Sequence, residues 1–419
     1  MDIRIYPAKL RGTVQAPESK SQAHRLLIAA FLANRAGGNC SVKINNMSED
    51  IKATMRCLDA LGSGADLPEL FCGESGSTLR FMLPLSAICG EGAVFFGGGK
   101  LPKRPLAPLD EQMRLHGVRV EPAAGYIPSG EAASEETSGQ VPIVKTEGRL
   151  RGGVFELPGN VSSQYLTALL MALPLAEEDS RITLTSPLES AGYVEMTLDV
   201  LRSFEITVLR EGDTYYIKGG QRYIPPAREL TVEGDWSNAA FWLVADRITA
   251  AGGAEETGAA GSCVIVEGLD TDSTQGDKAI LDIIEPMIGP LIIDASQVPD
   301  LVPIACVYGT VMNRNTMISH GERLRLKESD RIETTCSMLD ALGTDSNEVL
   351  DIVLIHGQER LTGGEVDGAG DHRIVMAAAI AACACEGPVT IRGAEAVEKS
   401  YPGFFDDYRK LGGKVEILG

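Results

Sequence analysis

One pattern constrains the fold of this chain more than any other. A small polar or charged cluster followed by an almost wholly apolar, Ala/Leu-rich run occurs six times: SKSQAHRLLIAAFLA (19–33), SGSTLRFMLPLSA (75–87), SSQYLTALLMALPLA (162–176), WSNAAFWLVA (236–245), PDLVPIACVYGTV (299–311) and DHRIVMAAAIAACA (371–384). A run without a polar face reads as a helix buried on all sides, and its polar start marks the N-terminus. Between these runs lie amphipathic segments: DIKATMRCLDALG (50–62), LAPLDEQMRLHG (106–117), VEMTLDVLRSF (194–204), DKAILDIIEPMIG (277–289), RIETTCSMLDALG (331–343) and FFDDYRKLGG (404–413). Five of the six run into Gly, a common helix stop. Short β-rich stretches such as RITLT (181–185) separate them, so the predicted architecture is α/β, six repeated units of roughly 70 residues each. The 419 residues are enough for two or three domains. The simplest assembly points the polar helix starts at a shared cleft, where helix dipoles and free N–H groups attract anions.

The polar clusters carry Lys20, Ser21, Arg25, Ser77, Arg80, Ser162, Ser163, Gln164, Asp300 and Arg373, and the loop GGGKLPKRP (97–105) adds Lys100, Lys103 and Arg104. Most of these are cations, hydroxyls or amides, the groups that bind phosphate and carboxylate oxygens. Arg25, Arg80 and Arg373 open apolar runs, where a cation opposes the helix dipole and an anionic ligand would compensate. In ERLRLKESDRI (322–332), Arg323, Arg325 and Lys327 alternate with Leu324 and Leu326. That period predicts a half-buried strand with all three cations on one face. A polyanion lying over them would make the row tolerable, and Glu328 and Asp330 would pair the surplus. Asp300, Glu328 and Asp330 stand out as proton-transfer candidates among so many cations. Ser162 and Asp300 also fit as helix caps.

Composition narrows the partners. With a formal net charge of −20, nucleic acid and anionic membranes are poor partners, so an anionic substrate needs a local basic pocket. No apolar stretch approaches the roughly 18 residues that a membrane span needs, and the N-terminus MDIRIYPAKLRG has no secretory apolar segment. The expected location is the cytoplasm. Nine cysteines without a CxxC pair read as reduced core thiols, Cys72 included, rather than disulfides or a zinc site. His24 and His372, beside the clusters, read as neutral hydrogen-bonding rings rather than catalysts, and His116, His320 and His356 have no partner pattern. Gly97–Gly99 lacks the signature of a nucleotide-binding loop. The acidic, Gly/Ser-rich stretches 121–140 and 251–262 read as surface loops.

Eight motifs in order carry a resemblance to a family: SKSQAHR (19–25), ESGSTLRF (74–81), KRPLAPL (103–109), the SSQYLTALLMALPLA run, VEGDWSNAAF (232–241), RLKESDR (325–331), DHRIVMA (371–377) and VEKSYPGFF (397–405). Together they resemble the 5-enolpyruvylshikimate-3-phosphate synthases, from about Gly12 to Phe405. The resemblance implies the two-domain enolpyruvyl transferase fold, three repeated units per domain, with the active site in the cleft between the domains. It places the domains at 1–13 with 230–419 and at 14–229, the crossings serving as a hinge for closure on ligand.

The implied reaction transfers the enolpyruvyl group of phosphoenolpyruvate to the 5-hydroxyl of shikimate 3-phosphate and releases phosphate, without metal or organic cofactor. Carried over by motif, Lys20, Arg80, Arg104, Arg331, Arg373 and Lys399 would hold phosphoenolpyruvate. Ser21, Arg25, Ser162, Ser163, Ser190, Tyr193 and Lys327 would hold shikimate 3-phosphate, with Gln164 between the two ligands. Asp300 would take the hydroxyl proton and contact shikimate 3-phosphate. Glu328 would protonate the methylene carbon, with Lys20 a partner in proton transfer. The resemblance also implies a monomer and a glyphosate target. Glu74, Phe81 and Arg323 depart from commoner family residues, Asn, Pro and Asn respectively. The sister enolpyruvyl transferases acting on UDP-N-acetylglucosamine carry a Cys on the mobile loop and Asn after the early Lys. Here residues 97–105 hold no Cys and Ser21 follows Lys20. A non-catalytic metabolite-binding homologue would be expected to lack Asp300, Glu328 or Lys20, all present here.

Overall fold

Backbone contacts group the chain into two units, Lys20–Val232 and Met1–Ser19 with Glu233–Gly419. The computed structural model describes residues 1–128, 137, 139–251, 263–285, 289–358 and 360–418. Residues 129–136 and 138 of the loop expected at 121–140, and 252–262 of the second, lie outside the described residues. The first passage between units falls at Ser19/Lys20 rather than 13/14. The strand Gly12–Gln15 pairs in parallel with Val264–Glu267, which keeps it in the discontinuous unit.

Among the described residues, the inserted unit, Lys20–Val232, holds six α-helices: α1 (Lys20–Arg35), α2 (Glu49–Gly62), α3 (Gly76–Cys89), α4 (Leu109–Leu115), α5 (Ser163–Ala172) and α6 (Ala191–Ser203). One four-stranded sheet runs Glu69–Phe71, Gly92–Gly97, Val141–Glu147, Arg119–Pro122. A second runs Val208–Glu211, Thr214–Ile217, Ser180–Leu184, Gly153–Leu157, and a parallel pair joins Ser41–Lys43 to Glu229–Thr231. The core of this unit collects α1, α3 and α5 through Ile28, Leu83, Leu85 and Leu169.

The discontinuous unit repeats this plan. Its helices are α7 (Trp236–Ala251), α8 (Ile280–Ile283), α9 (Val302–Val311), α10 (Arg331–Ala341), α11 (His372–Ala381) and α12 (Phe404–Lys410). Its sheets run Leu291–Asp294, Thr316–Ser319, Ile352–Ile355, Ser346–Val349, and Gly364–Asp367, Val389–Arg392, Ile3–Tyr6, Lys414–Ile417, with the pair Gly12–Gln15 and Val264–Glu267 as the third. Trp242, stacked on Phe404 at 4.9 Å between ring centroids, anchors its core.

The six apolar runs are α1, α3, α5, α7, α9 and α11. Four of them explain their own composition. In each four-stranded sheet two strands run parallel, and the apolar helix is the crossover between them: α3, α5, α9 and α11. A crossover helix sandwiched between its sheet and other helices has no solvent face, and α11 buries all ten of its residues. The polar cluster ahead of each helix is therefore the loop leaving the C-terminal end of a parallel strand, where α/β folds commonly place their ligands.

Two expectations fail locally. ERLRL, Glu322–Leu326, is a 3-10 turn and not a strand. Leu324 alone points inward, Leu326 is 46% exposed, and the cations diverge instead of forming one row. The amphipathic segment at 277–289 supplies only a 3-10 turn, Gly276–Ala279, and the single turn α8; positions 286–288 lie outside the described residues.

Buried Asp246 of α7 ties this unit's third sheet, its carboxylate accepting from the backbone N–H of Cys263 (2.7 Å) and Val264 (2.9 Å). Asp246→Ala leaves two buried donors unpaired, so the unfolding free energy of the unit should fall by about 2–4 kcal/mol. Urea titration checks this; an unchanged midpoint would contradict it.

Candidate active site

The starts of the crossover helices and the loops ahead of them carry Ser77, Arg80, Ser162, Ser163, Gln164, Asp300 and Arg373. In the inserted unit, α3 starts behind Ser75, whose hydroxyl accepts from the N–H of Thr78 at 3.2 Å. One turn in, buried Arg80 donates to Gln164 Oε1 at 2.5 Å and to the Pro105 carbonyl at 3.3 Å. Gln164 sits at the start of α5, where Ser162 caps the helix by accepting the Gln164 N–H at 3.3 Å. The Gln164 amide donates to Ser77 at 2.8 Å. Arg80, Ser77, Ser162, Ser163 and Gln164 thus form one patch, and the face of Tyr165 lies 5.4 Å from the Arg80 guanidinium. The loop after Gly97–Gly99 turns as a 3-10 helix at Leu101–Lys103 and delivers Arg104 against α3. A Cβ on Gly76 would lie 2.7 Å from Arg104 Nη1, so Gly76 is what lets that guanidinium approach. Glu74 lies over Gly99 in the same way, where φ is +55°.

Lys20 is the first residue of α1, and its ammonium pairs with Asp50 of α2 at 2.9 Å. Arg25 lies deeper in α1 and is buried. It donates to Thr197 (2.8 Å), Thr167 (3.4 Å) and the carbonyls of Ser21 (2.6 Å) and Tyr193 (2.9 Å), which ties α1 to α5 and α6. Burial pushes its pKa down to about 10. Ser190, next to this cluster in sequence, holds a left-handed backbone (φ 55°) just before α6. The helix-dipole argument for Arg25 and Arg80 is corrected here: both lie a turn or more inside their helices, and only Arg373 stands in a first turn.

The discontinuous unit gathers the remaining candidates around Arg331, the first residue of α10, which is 1% exposed. Its guanidinium meets Asp300 at 2.5 Å, Glu328 at 2.9 Å and Asp371 at 2.8 Å. Burial works against the charge, but Asp371, Asp300 and Glu328 together hold Arg331 firmly protonated. Burial works to raise the Asp371 carboxyl, but the charge and hydrogen bond of Arg331 together with nearby His372 hold it below the ordinary value. Asp371 also caps α11 by accepting the Arg373 N–H at 2.9 Å, and takes the Ser329 hydroxyl at 3.0 Å. Asp300 lies ahead of α9, whose N-cap is Leu301, so its carboxylate is not the cap. It faces Arg331, Lys327 at 3.5 Å and Arg373 at 3.5 Å. Lys399, at the end of a 3-10 helix, donates to the Gly370 carbonyl at 2.8 Å. Arg325 instead turns to Asp330 (2.8 Å), Glu348 and the Leu350 carbonyl, away from the row expected from the sequence.

Two carboxylates were missed in the sequence reading, Asp50 and Asp371. Asp371 had a signal, an Asp immediately before an apolar helix; Asp50 had none, because its partner is thirty positions away. His24 is buried against Thr54 (2.8 Å), and burial with Lys20 and Arg25 nearby pushes its pKa well down, so the ring is neutral. Burial raises the Cys72 thiol well above its ordinary value, which suits packing rather than nucleophilic attack.

A family model described as EPSP synthase (3-phosphoshikimate 1-carboxyvinyltransferase) matches residues 6–69 and 63–408. Over 451 residues the chain is 38% identical to a 3-phosphoshikimate 1-carboxyvinyltransferase of Clostridium kluyveri, covering 99% of this chain and 98% of that protein. The protein of the same name in Clostridium acetobutylicum is 38% identical over 449 residues, with 99% and 98% covered. Among solved structures, an EPSP synthase from Acinetobacter baumannii has a TM-score of 0.74 at 23% identity, covering 99% of this chain and 100% of that one. The enolpyruvyl transferase NikO from Streptomyces tendae has a TM-score of 0.70 at 16% identity, covering 99% and 98%. The fold is that of the enolpyruvyl transferases. Among the described residues, no helix is long and apolar enough to cross a membrane.

Burial pushes the Lys327 pKa down to about 8, Arg331 and Arg323 adding to the shift while Asp300 and Glu328 oppose it. The folded value lies below that of an unfolded lysine, so between the two the unfolded chain binds more protons. Raising the pH through that window therefore stabilises the fold. Carbon-13 titration of labelled lysines should find one ammonium with a midpoint near 8, lowered further in Asp300→Ala. A midpoint at the ordinary lysine value would contradict the burial described here.

Proposed function

Because the chain belongs to the EPSP synthase family, we propose that it transfers the enolpyruvyl group of phosphoenolpyruvate to the 5-hydroxyl of shikimate 3-phosphate, releasing phosphate. The reaction belongs to the shikimate pathway, on the way to aromatic amino acids. The observation that carries the residue assignment is the cluster in which Asp300 faces Arg331, Lys327 and Arg373 while Glu328 shares Arg331. Three cations and three carboxylates, Asp371 being the third, are held at one place by one buried guanidinium.

The chemistry explains why both signs are needed. A proton added to the methylene carbon of phosphoenolpyruvate leaves C2 electron-poor. The substrate hydroxyl oxygen then bonds to C2 and loses its proton. In the resulting tetrahedral adduct the bond from C2 to the phosphate oxygen breaks, a proton leaves the methyl group, and the double bond re-forms. Asp300 takes the hydroxyl proton. Its carboxylate is held ready for this by Arg331, with Lys327 and Arg373 nearby. Glu328 donates to the methylene carbon, with Lys20 as partner in the proton transfers.

Arg331, Arg373, Lys399, Lys20, Arg80 and Arg104 balance the charge of phosphoenolpyruvate, and the departing phosphate stays among them. Ser162, Ser163, Gln164, Ser21, Ser190, Tyr193 and Lys327 hold shikimate 3-phosphate. Arg25 serves the same ligand by fixing the Ser21 and Tyr193 backbone, because the donors described above already go to Ser21, Thr167, Tyr193 and Thr197.

Phosphate release from phosphoenolpyruvate is expected with shikimate 3-phosphate and absent with UDP-N-acetylglucosamine. Asp300→Ala should lower turnover by about 10²–10⁴-fold, the usual worth of a positioned acid or base. Equal turnover in parent and variant would remove Asp300 from the mechanism.

A further inference from the structure

The sequence DSTQGDK (272–278) was absorbed by none of the roles above, yet it puts a carboxylate, Asp277, at 3% exposure beside the Arg331 cluster's partners. Asp277 lies in the 3-10 turn Gly276–Ala279. Its Oδ2 accepts the hydroxyl of Ser237, the second residue of α7. The carbonyl of the same Ser237 accepts from Arg373 Nη1 at 3.2 Å, and Arg373 Nη2 faces Asp300 Oδ2 at 3.5 Å. Gln275 completes the grip on the start of α7, accepting the Trp236 N–H at 3.0 Å and donating to the Gly234 carbonyl at 2.8 Å. A line of contacts thus runs from Asp277 through Ser237 and Arg373 to Asp300.

Accepting the Ser237 hydroxyl alone would not require a carboxylate. A serine or asparagine side chain makes that hydrogen bond without the cost of burying a charge. What a carboxylate adds is negative charge near Arg373. We propose that Asp277 is a positioning residue for phosphoenolpyruvate binding: it fixes Ser237, and through the Ser237 carbonyl and its own charge it holds the Arg373 guanidinium in place and turned toward Asp300. The inference rests on the reading of Arg373 as a phosphoenolpyruvate ligand.

The groups facing Asp277 are Ser237 on α7, Asp235 just before it, Asp300 ahead of α9 and Arg373 on α11. Burial first, and then the like charge of Asp300, push its pKa up to about 6, against the pull of Arg373 and Ser237. Above that value the carboxylate is charged and the support is present; below it the parent loses what an amide at this position lacks at every pH.

The test is steady-state kinetics of the full chain carrying Asp277→Asn, Asp277→Glu or Ser237→Ala. In Asp277→Asn the KM for phosphoenolpyruvate should rise about tenfold at neutral pH, with the KM for shikimate 3-phosphate within about twofold, the scale of a displaced charge-assisted contact. Asp277→Glu should recover most of the loss. The ratio of variant to parent KM for phosphoenolpyruvate, in which the ligand's own titration cancels, should fall toward one below about pH 6. Equal rises for both substrates, no rise, or a ratio that does not change with pH would overturn the proposal. If Asp277→Asn does not fold, Ser237→Ala decides: a rise confined to phosphoenolpyruvate supports the link and any other result overturns it. If the parent fails to turn over phosphoenolpyruvate with shikimate 3-phosphate, the functional reading fails separately. A crystal structure of a folding member of the panel then decides the positioning claim, by whether Arg373 leaves the Ser237 carbonyl or stays on it.

Discussion

A single guanidinium with almost no solvent exposure organises the discontinuous unit. Taking the charge of Arg331 out of water costs several kcal/mol, and the cost is offset only if carboxylates approach with good geometry. Asp300, Glu328 and Asp371 meet it on different nitrogens. Because these three acids come from the turn before α9, the turn before α10 and the start of α11, the pairing fixes three helix starts against each other. Asp371 extends the arrangement by capping the helix that carries Arg373. Loss of Arg331 would leave acids crowded together, and loss of one acid would leave the guanidinium underpaired. The catalytic candidates are thus held by the interaction that stabilises their surroundings.

The inserted unit solves a similar problem without a carboxylate ring. Arg25 and Arg80 are buried, but their donors go to threonine hydroxyls, backbone carbonyls and the Gln164 amide. Arg25 thus keeps its positive charge among neutral hydroxyls and carbonyls. In the discontinuous unit three carboxylates surround Arg331, and Lys327 and Arg373 face one of them, Asp300. Both arrangements depend on crossover helices, since a parallel strand pair leaves a polar loop at the same end each time.

The six apolar helices were legible because a crossover helix buried on all sides leaves a composition that no amphipathic helix has. Ser162 as a cap, the strand over RITLT and the polar clusters at helix starts were legible because local chemistry determines them. ERLRL was misread because alternation of Leu and Arg satisfies a strand period whether or not both leucines find a core, and Leu326 does not. Long-range pairs were not legible: nothing near Lys20 announces Asp50, and nothing near Arg25 announces Thr167 and Thr197. Threonines inside apolar helices were the available hint, since a buried hydroxyl needs a partner. The position of the first passage between units was missed because strand pairing, not motif spacing, determines which unit residues 12–15 join.

The shape of the Arg331 guanidinium matters as well as its charge, because three acids meet it on its fork. The most direct measurement is phosphate release by Arg331→Lys, at a temperature where parent and variant are both folded by near-ultraviolet circular dichroism. Lysine keeps the charge but cannot reach three acids with a planar fork, so kcat/KM for phosphoenolpyruvate should fall by about 100-fold or more. Turnover within about threefold of the parent would show that charge alone suffices and that the fork does not position the acids.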